Sequence, residues 1–211
     1  MHRQQLEHII RASAGITGAT EFVIIGSQAV LGQFPQAPAE LLVSIEADVF
    51  TLRNPADSDL IDGSIGEGSP FHQTFGYYAH GVSQETAVLP AGWRERLVPV
   101  HNENTGGGTG LCLEIHDLAV SKLVAGREKD IDFLNGLLRH SLMQVPILRE
   151  RLAQTALTPD RLATCQARLD RLIKATSALL KPSMTALVRL TAEGVGQHLE
   201  GGFGQQLTRF A

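Results

Sequence analysis

Phe22-Val23-Ile24-Ile25-Gly26-Ser27-Gln28-Ala29-Val30-Leu31 changes period in mid-course: four apolar residues, a Gly-Ser pair, then apolar residues resuming at helical spacing. A continuous apolar run fits a strand buried on both faces, Gly-Ser fits a tight turn, and the restart predicts a helix. After Pro35 and Pro38, Leu41 to Phe50 reads as a second strand in which Ile45, Ala47 and Val49 alternate with Ser44, Glu46 and Asp48. Side chains at i and i+2 leave a strand on one face, about 6.5 to 7 Å apart, so Glu46 and Asp48 project together.

Outward from this pair of strands, Leu6, Ile9 and Ile10 predict a short amphipathic helix over residues 4–12. Residues 57–62 read as a short polar helix and 63–70 as a loop. Phe75 to Val82 reads as an aromatic-rich strand, and Arg96 to Val100 as a shorter one that Pro99 keeps near a sheet edge. Asn104 to Gly110 is a flexible turn before a strand over Leu111 to Ile115. From His116 the period becomes helical. Asp117 can cap a helix ending at Gly126, Asp130 can cap the next to about His140, and further helices are expected at about 144–154 and 159–180. The fold class is therefore α/β (α+β): a short sheet in residues 1–115, a helical subdomain in 116–181 completing a cleft, and a C-terminal tail in 182–211. The apolar stretch Met184 to Leu190 is the place where a partner would dock.

A chain of 211 residues with 43% hydrophobic and 19% charged residues fits one domain with a helical appendage and excludes two large unrelated ones. It has no uncharged apolar run of about 18 residues and no leader-like h-region, so a cytoplasmic, membrane-free protein is expected. Cys112 and Cys165 lie far apart with no CxxC, which predicts buried free thiols. The net charge of −4 argues against a nonspecific nucleic-acid coat, but it hides an asymmetry. Residues 1–110 carry −7 and residues 111–211 carry +3, with every lysine in the second half. Such a chain could build a cleft with a metal-binding wall and a phosphate-binding wall; a plainly helical, Lys/Arg-rich second half would give the same balance.

Two carboxylates on one strand face can approach cations about 3.5 to 4 Å apart, as two-metal phosphoryl transfer requires. The oxygen donors suit Mg²⁺, which would also hold a triphosphate. A Gly-Ser turn offers backbone N–H groups, a hydroxyl, and no Cβ to block an anion. Lys122, among Leu118, Val120 and Ala125, either wants an anionic partner such as phosphate or snorkels to solvent. His116-Asp117 lacks the further ligands of a metal phosphohydrolase, and Gly106 to Gly110 lacks the Lys-Ser/Thr of a phosphate loop.

Two blocks, Phe22 to Ala29 followed by Glu46-Ala47-Asp48-Val49, and Asp117 to Asp130, resemble nucleotidyltransferase-like proteins of the AbiEii abortive-infection toxin type and their small bacterial relatives. The second block is the more specific, similar to the family's Leu-Ala-x-x-Lys-Leu-x-Ala-Gly-Arg-x-Lys-Asp segment. The resemblance implies a polymerase-beta-like nucleotidyltransferase core with a short mixed sheet and a helical C-terminal part. It further implies that Gly26 and Ser27 contact nucleotide phosphates, that Glu46 and Asp48 ligate Mg²⁺, that Lys122 faces the triphosphate, and that Arg127, Lys129 and Asp130 support the site.

The sequence departs from the family pattern in three places. Glu46 stands for the first Asp of the pair, the spacing from Ser27 to Glu46 is long, and His80 occupies the place of the third acid. His80 is either a base or a strand histidine facing water; Glu85 and Glu114 are alternative third acids. The expected activity is Mg²⁺-dependent transfer of a nucleotidyl group from an NTP to a hydroxyl of tRNA, a protein or a small molecule, with a toxin role and an antitoxin partner implied by the relatives. The competing expectation is a catalytically silent binding or regulatory protein that kept the fold.

Overall fold

The computed structural model describes residues 1–196, with side chains through residue 178. The chain divides into two compact units, Met1–Leu172 and Ile173–Ala211; over its described residues the second is the continuation of the last helix, α8 (Pro159–Gly196). The expected tail of residues 182–211 lies outside the described residues from 197 onward, and so do the side chains of the Met184 to Leu190 docking stretch.

The first unit is built on a mixed sheet of five strands: β1 (Glu21–Ile25), β2 (Glu46–Phe50), β3 (Tyr78–Gly81), β4 (Val98–Val100) and β5 (Thr109–Cys112), in the order β3-β2-β1-β5-β4. This is the α+β nucleotidyltransferase-like architecture with a helical C-terminal part that the sequence predicts. β1 is central, antiparallel to β2 and parallel to β5. Phe22, Val23, Ile24 and Ile25 are at most 2% exposed, as a strand flanked and covered on both faces requires. Each such side chain contributes about 1.5 to 3 kcal/mol of burial.

Helix α1 (Arg3–Thr17) lies on β1 and β5, and a short helix α2 (Val30–Gln33) lies on β4 and β5. Gly110, which a Cβ would drive into Ile10 of α1, and Cys112, which backs Gly32 of α2, are two apart on β5 and share one face. Asp48 is registered with Ile25, the neighbour of Ile24, and so faces the other side. Helices α5 (Ile115–Ala125), α6 (Glu128–Arg139) and α7 (Val145–Ala153) pack together beyond β5, and α3 (Ala56–Ile65) packs on β3 and α1.

Several elements differ in extent from their sequence signal. β2 begins only at Glu46, where its pairing with Tyr78 of β3 begins, while β1 reaches only as far as Asp48; Val43 and Ile45 before it are exposed. Phe75 belongs not to β3 but to α4 (Pro70–Phe75), which Ser69 caps by accepting a hydrogen bond from the His72 amide before Gly76 ends it. Helix α1 continues through Gly15 to Gly18, at φ 70°. Glu114, rather than Asp117, caps α5, accepting from the amides of His116 and Asp117. Asp130 sits three residues inside α6 and reaches back to the Arg127 amide at 3.3 Å. Both cysteines are buried and free, and no helix among the described residues is long and apolar enough to cross a membrane.

Candidate active site

The site begins where β1 stops. Gly26 has φ 70° and ψ −171°, a conformation essentially reserved for glycine, and a Cβ there would overlap Oδ2 of Asp48. The glycine therefore makes the turn and leaves the space that the carboxylate fills. The chain continues through a single 3₁₀ turn, Ser27–Ala29, into the four residues of α2, so the helix expected after Gly-Ser is much shorter than its spacing suggested.

Strands β2 and β3 are parallel, with Glu46 opposite Tyr78 and Asp48 opposite His80. That register brings all four side chains to one face. The Tyr78 phenol donates to Glu46 Oε2 at 2.9 Å, and His80 Nδ1 lies 3.2 Å from Asp48 Oδ1 and 3.5 Å from Glu46 Oε1. One ligand atom from each of Glu46, Asp48 and His80 falls within 4.8 Å of the others.

The electrostatics register the crowding. Burial pushes the Asp48 carboxyl up to about 6, helped by the hydrogen bond and negative charge of Glu46. Burial also works against ionisation of Glu46, but hydrogen bonds from Asp48 and Tyr78 and the positive charges of His80 and Lys129 hold it below its ordinary value. Burial and the bond to Glu46 push the Tyr78 phenol up to about 12. Two carboxylates of which one is driven toward its neutral form are short of positive charge.

Glu46 and Asp48 open into a cleft of about 370 Å³ lined also by Gly26, Ser27 and Ser44 and, from the α5–α6 corner, by Lys122, Arg127, Lys129 and Phe133. That volume is in the range of small-molecule pockets. Lys122 lines the cleft but is 7% exposed; its ammonium donates to Asp130 Oδ1 at 3.1 Å and lies 4.5 Å over the Phe133 ring. Burial lowers its pKa, with Asp130 opposing. Arg127 donates from Nε to Asp130 Oδ2 at 2.7 Å while most of its side chain remains exposed. At the same corner Gly126 has φ 62°, and the Arg168 guanidinium packs where its side chain would be while donating to the Leu123 carbonyl. The Lys-x3-Gly-Arg-x2-Asp pattern thus encodes a helix-to-helix corner locked by a buried ion pair.

The other sequence candidates fall elsewhere. Glu114 caps α5 and holds His116 Nδ1 at 2.7 Å, and Glu85 lies in the 3₁₀ turn Gln84–Thr86 beyond β3. His116 Nε2 accepts from the Gln144 amide, and Asp117 is fully buried between Arg96 and Arg151, so both serve the packing of the helices. Tyr78 was not singled out from the sequence, although its place two residues before His80 on one strand was the available signal. The cleft-lining Ser44, Asp132 and Phe133 carry no motif at all.

No curated protein and no solved structure gives a significant match to the chain. The comparison that does match is a family model described as "Nucleotidyltransferase of unknown function (DUF6036)", which spans residues 4–168 and so takes in the whole sheet, the acidic strand pair and the α5–α6 corner: the chain belongs to this nucleotidyltransferase family.

Proposed function

We propose that the protein transfers a nucleotidyl group from an NTP to an acceptor hydroxyl in a reaction dependent on a divalent cation of the Mg²⁺ type. The observation that carries this reading is the convergence of Glu46, Asp48 and His80, with the two carboxylates lining a cleft that Arg127 and Lys129 also line. The donor set fits a cation: the two carboxylates are hard oxygen ligands brought to one strand face with an imidazole beside them. Glu46 and Asp48 would hold it. When bound, the ion would supply charge neutralisation along the triphosphate and polarisation of the reacting phosphoryl group.

The chain's own residues do the rest. The Ser27 hydroxyl and the Gly26 turn face the cleft as phosphate contacts, and Lys129 and Arg127 offer positive charge opposite the acids. Lys122 and Asp130 fix the corner that presents them. The acceptor oxygen forms a bond to the α-phosphorus, the bond from that phosphorus to the bridging oxygen breaks, and pyrophosphate leaves with the electron pair. The hydroxyl proton passes to a carboxylate of the acidic pair or to His80. In keeping with the AbiEii-type resemblance, we take tRNA or a protein as the first acceptors to examine, with a toxin role and a neutralising antitoxin to follow, and a small molecule as the further acceptor class.

The test is incubation of the full chain with each α-³²P-labelled NTP, a divalent cation, and tRNA or a protein extract. Label should enter an acceptor, and Glu46→Ala and Asp48→Ala should each reduce transfer at least about 100-fold. Absence of transfer together with absence of an NTP-induced rise in Tm, with Glu46→Ala behaving like wild type, would sink the reading. NTP binding without transfer to any acceptor would instead favour a silent binding protein, to which the histidine in place of a third acid points.

A further inference from the structure

We propose that His80 is the third protein ligand of a single cation site with Glu46 and Asp48, and that its imidazole makes the site prefer Mn²⁺ to Mg²⁺. The inference rests on the reading above that the two carboxylates hold a cation, and adds which residue completes the set and which ion it selects.

The free lone pairs of the cluster converge on one point. Of the two Glu46 oxygens, Oε2 is occupied by the Tyr78 phenol; of the two Asp48 oxygens, Oδ2 is packed against Gly26. The remaining oxygens, Oε1 and Oδ1, both face His80 Nδ1, at 3.5 and 3.2 Å. Neighbouring ligands on an octahedral ion with bonds of about 2.2 Å stand about 3.1 Å apart, so these separations match the edges of one coordination sphere. His80 is half exposed and could turn its ring to water, yet its inner nitrogen points at the acids. The phenol that fixes Glu46 is the kind of outer partner that orients a ligand.

Two carboxylates cancel a divalent charge, and three protein ligands leave three octahedral positions for phosphate oxygens and water. Mg²⁺ binds few nitrogen donors and dehydrates reluctantly, whereas Mn²⁺ takes carboxylate and imidazole together at octahedral geometry. An imidazole that gives Nδ1 to a cation keeps its proton on Nε2, so the acceptor's proton then goes to a carboxylate oxygen rather than to His80.

The experiment uses the untagged full chain with Mn²⁺ alone as the probe. Pulsed EPR of the bound ion should show coupling to one imidazole ¹⁴N, and competition should show Mn²⁺ held at least about tenfold more tightly than Mg²⁺. His80→Asp should bind Mn²⁺ without that coupling and shift the preference toward Mg²⁺ by about tenfold; His80→Gln, with no nitrogen ligand of this type, should lose the coupling as well. Mn²⁺ that binds without nitrogen coupling, or with coupling that survives His80→Asp, overturns the proposal. If Glu46→Ala still abolishes binding in that case, the carboxylate site and the transferase reading stand. Mn²⁺ that does not bind wild type at all overturns both.

Discussion

Gly26 meets two demands at once, a backbone conformation closed to other residues and a space occupied by the Asp48 carboxylate. Gly26→Ala should therefore cost about 1 to 3 kcal/mol in strain and displace Asp48. The measurement is a denaturant titration beside a Mn²⁺ titration: we expect a folded, less stable protein with cation affinity reduced at least about tenfold, and unchanged affinity would refute the pairing. Asp130 and Lys122 make a second coupled pair. Burial alone would raise the Asp130 carboxyl, but hydrogen bonds and charge from Arg127 and Lys122 hold it below its ordinary value. Its stabilisation is accordingly full above about pH 4, where the unfolded carboxyl is also ionised, and is lost as the pH falls through the lower folded value. Asp130→Ala should cost about 3 to 5 kcal/mol at neutral pH, because it leaves the buried ammonium unpaired, and Asp130→Ala/Lys122→Met should recover most of that loss in a double-mutant cycle.

At the scale of elements, α1 is tied to the turn before β5 by one buried carboxylate. Glu7 is 4% exposed and accepts from Arg3 Nε, Asn102 Nδ2 and Asn104 Nδ2 at 2.8 to 3.0 Å. Glu7→Ala removes three hydrogen bonds whose donors, exposed Asn102 and Asn104 and partly exposed Arg3, can turn to water, and should cost about 1 to 2 kcal/mol, seen as a Tm lower by about 2 to 8 °C; a change within 1 °C would show that the tie is idle. Elements like α1, β1 and α5 were legible in the sequence, since a run such as Phe22 to Ile25 or the Leu6-Ile9-Ile10 spacing reports burial through neighbours in the chain. Their ends were less so. Where β2 starts is set by its pairing with β3, and that Phe75 closes α4 depends on the Ser69 cap and the Gly76 turn rather than on its own β-propensity.

For the whole molecule, every residue lining the cleft lies within Met1–Leu172. A chain ending after residue 181 should therefore keep cooperative unfolding and an NTP-induced rise in Tm equal to that of the full chain; loss of the rise would place part of the site in the removed segment. The charge asymmetry acquires a location, with Glu46 and Asp48 on one wall and Arg127 and Lys129 on the other, although Lys122, the residue that drew attention in an apolar helix, is neutralised within the protein by Asp130. The sequence by itself determined the strand and Gly-Ser turn of β1, the acid-bearing strand that follows, the shift to helices, and the Gly-Arg-x2-Asp corner, because these follow from local period and backbone freedom. Only the tertiary structure decided that Tyr78 and His80 complete the acidic pair, through the parallel register of β2 and β3, and which lysine stays open to the cleft. The first depends on contacts between residues about 30 positions apart, which no local pattern contains, and the second on the Lys122–Asp130 ion pair formed when α5 and α6 pack at their corner.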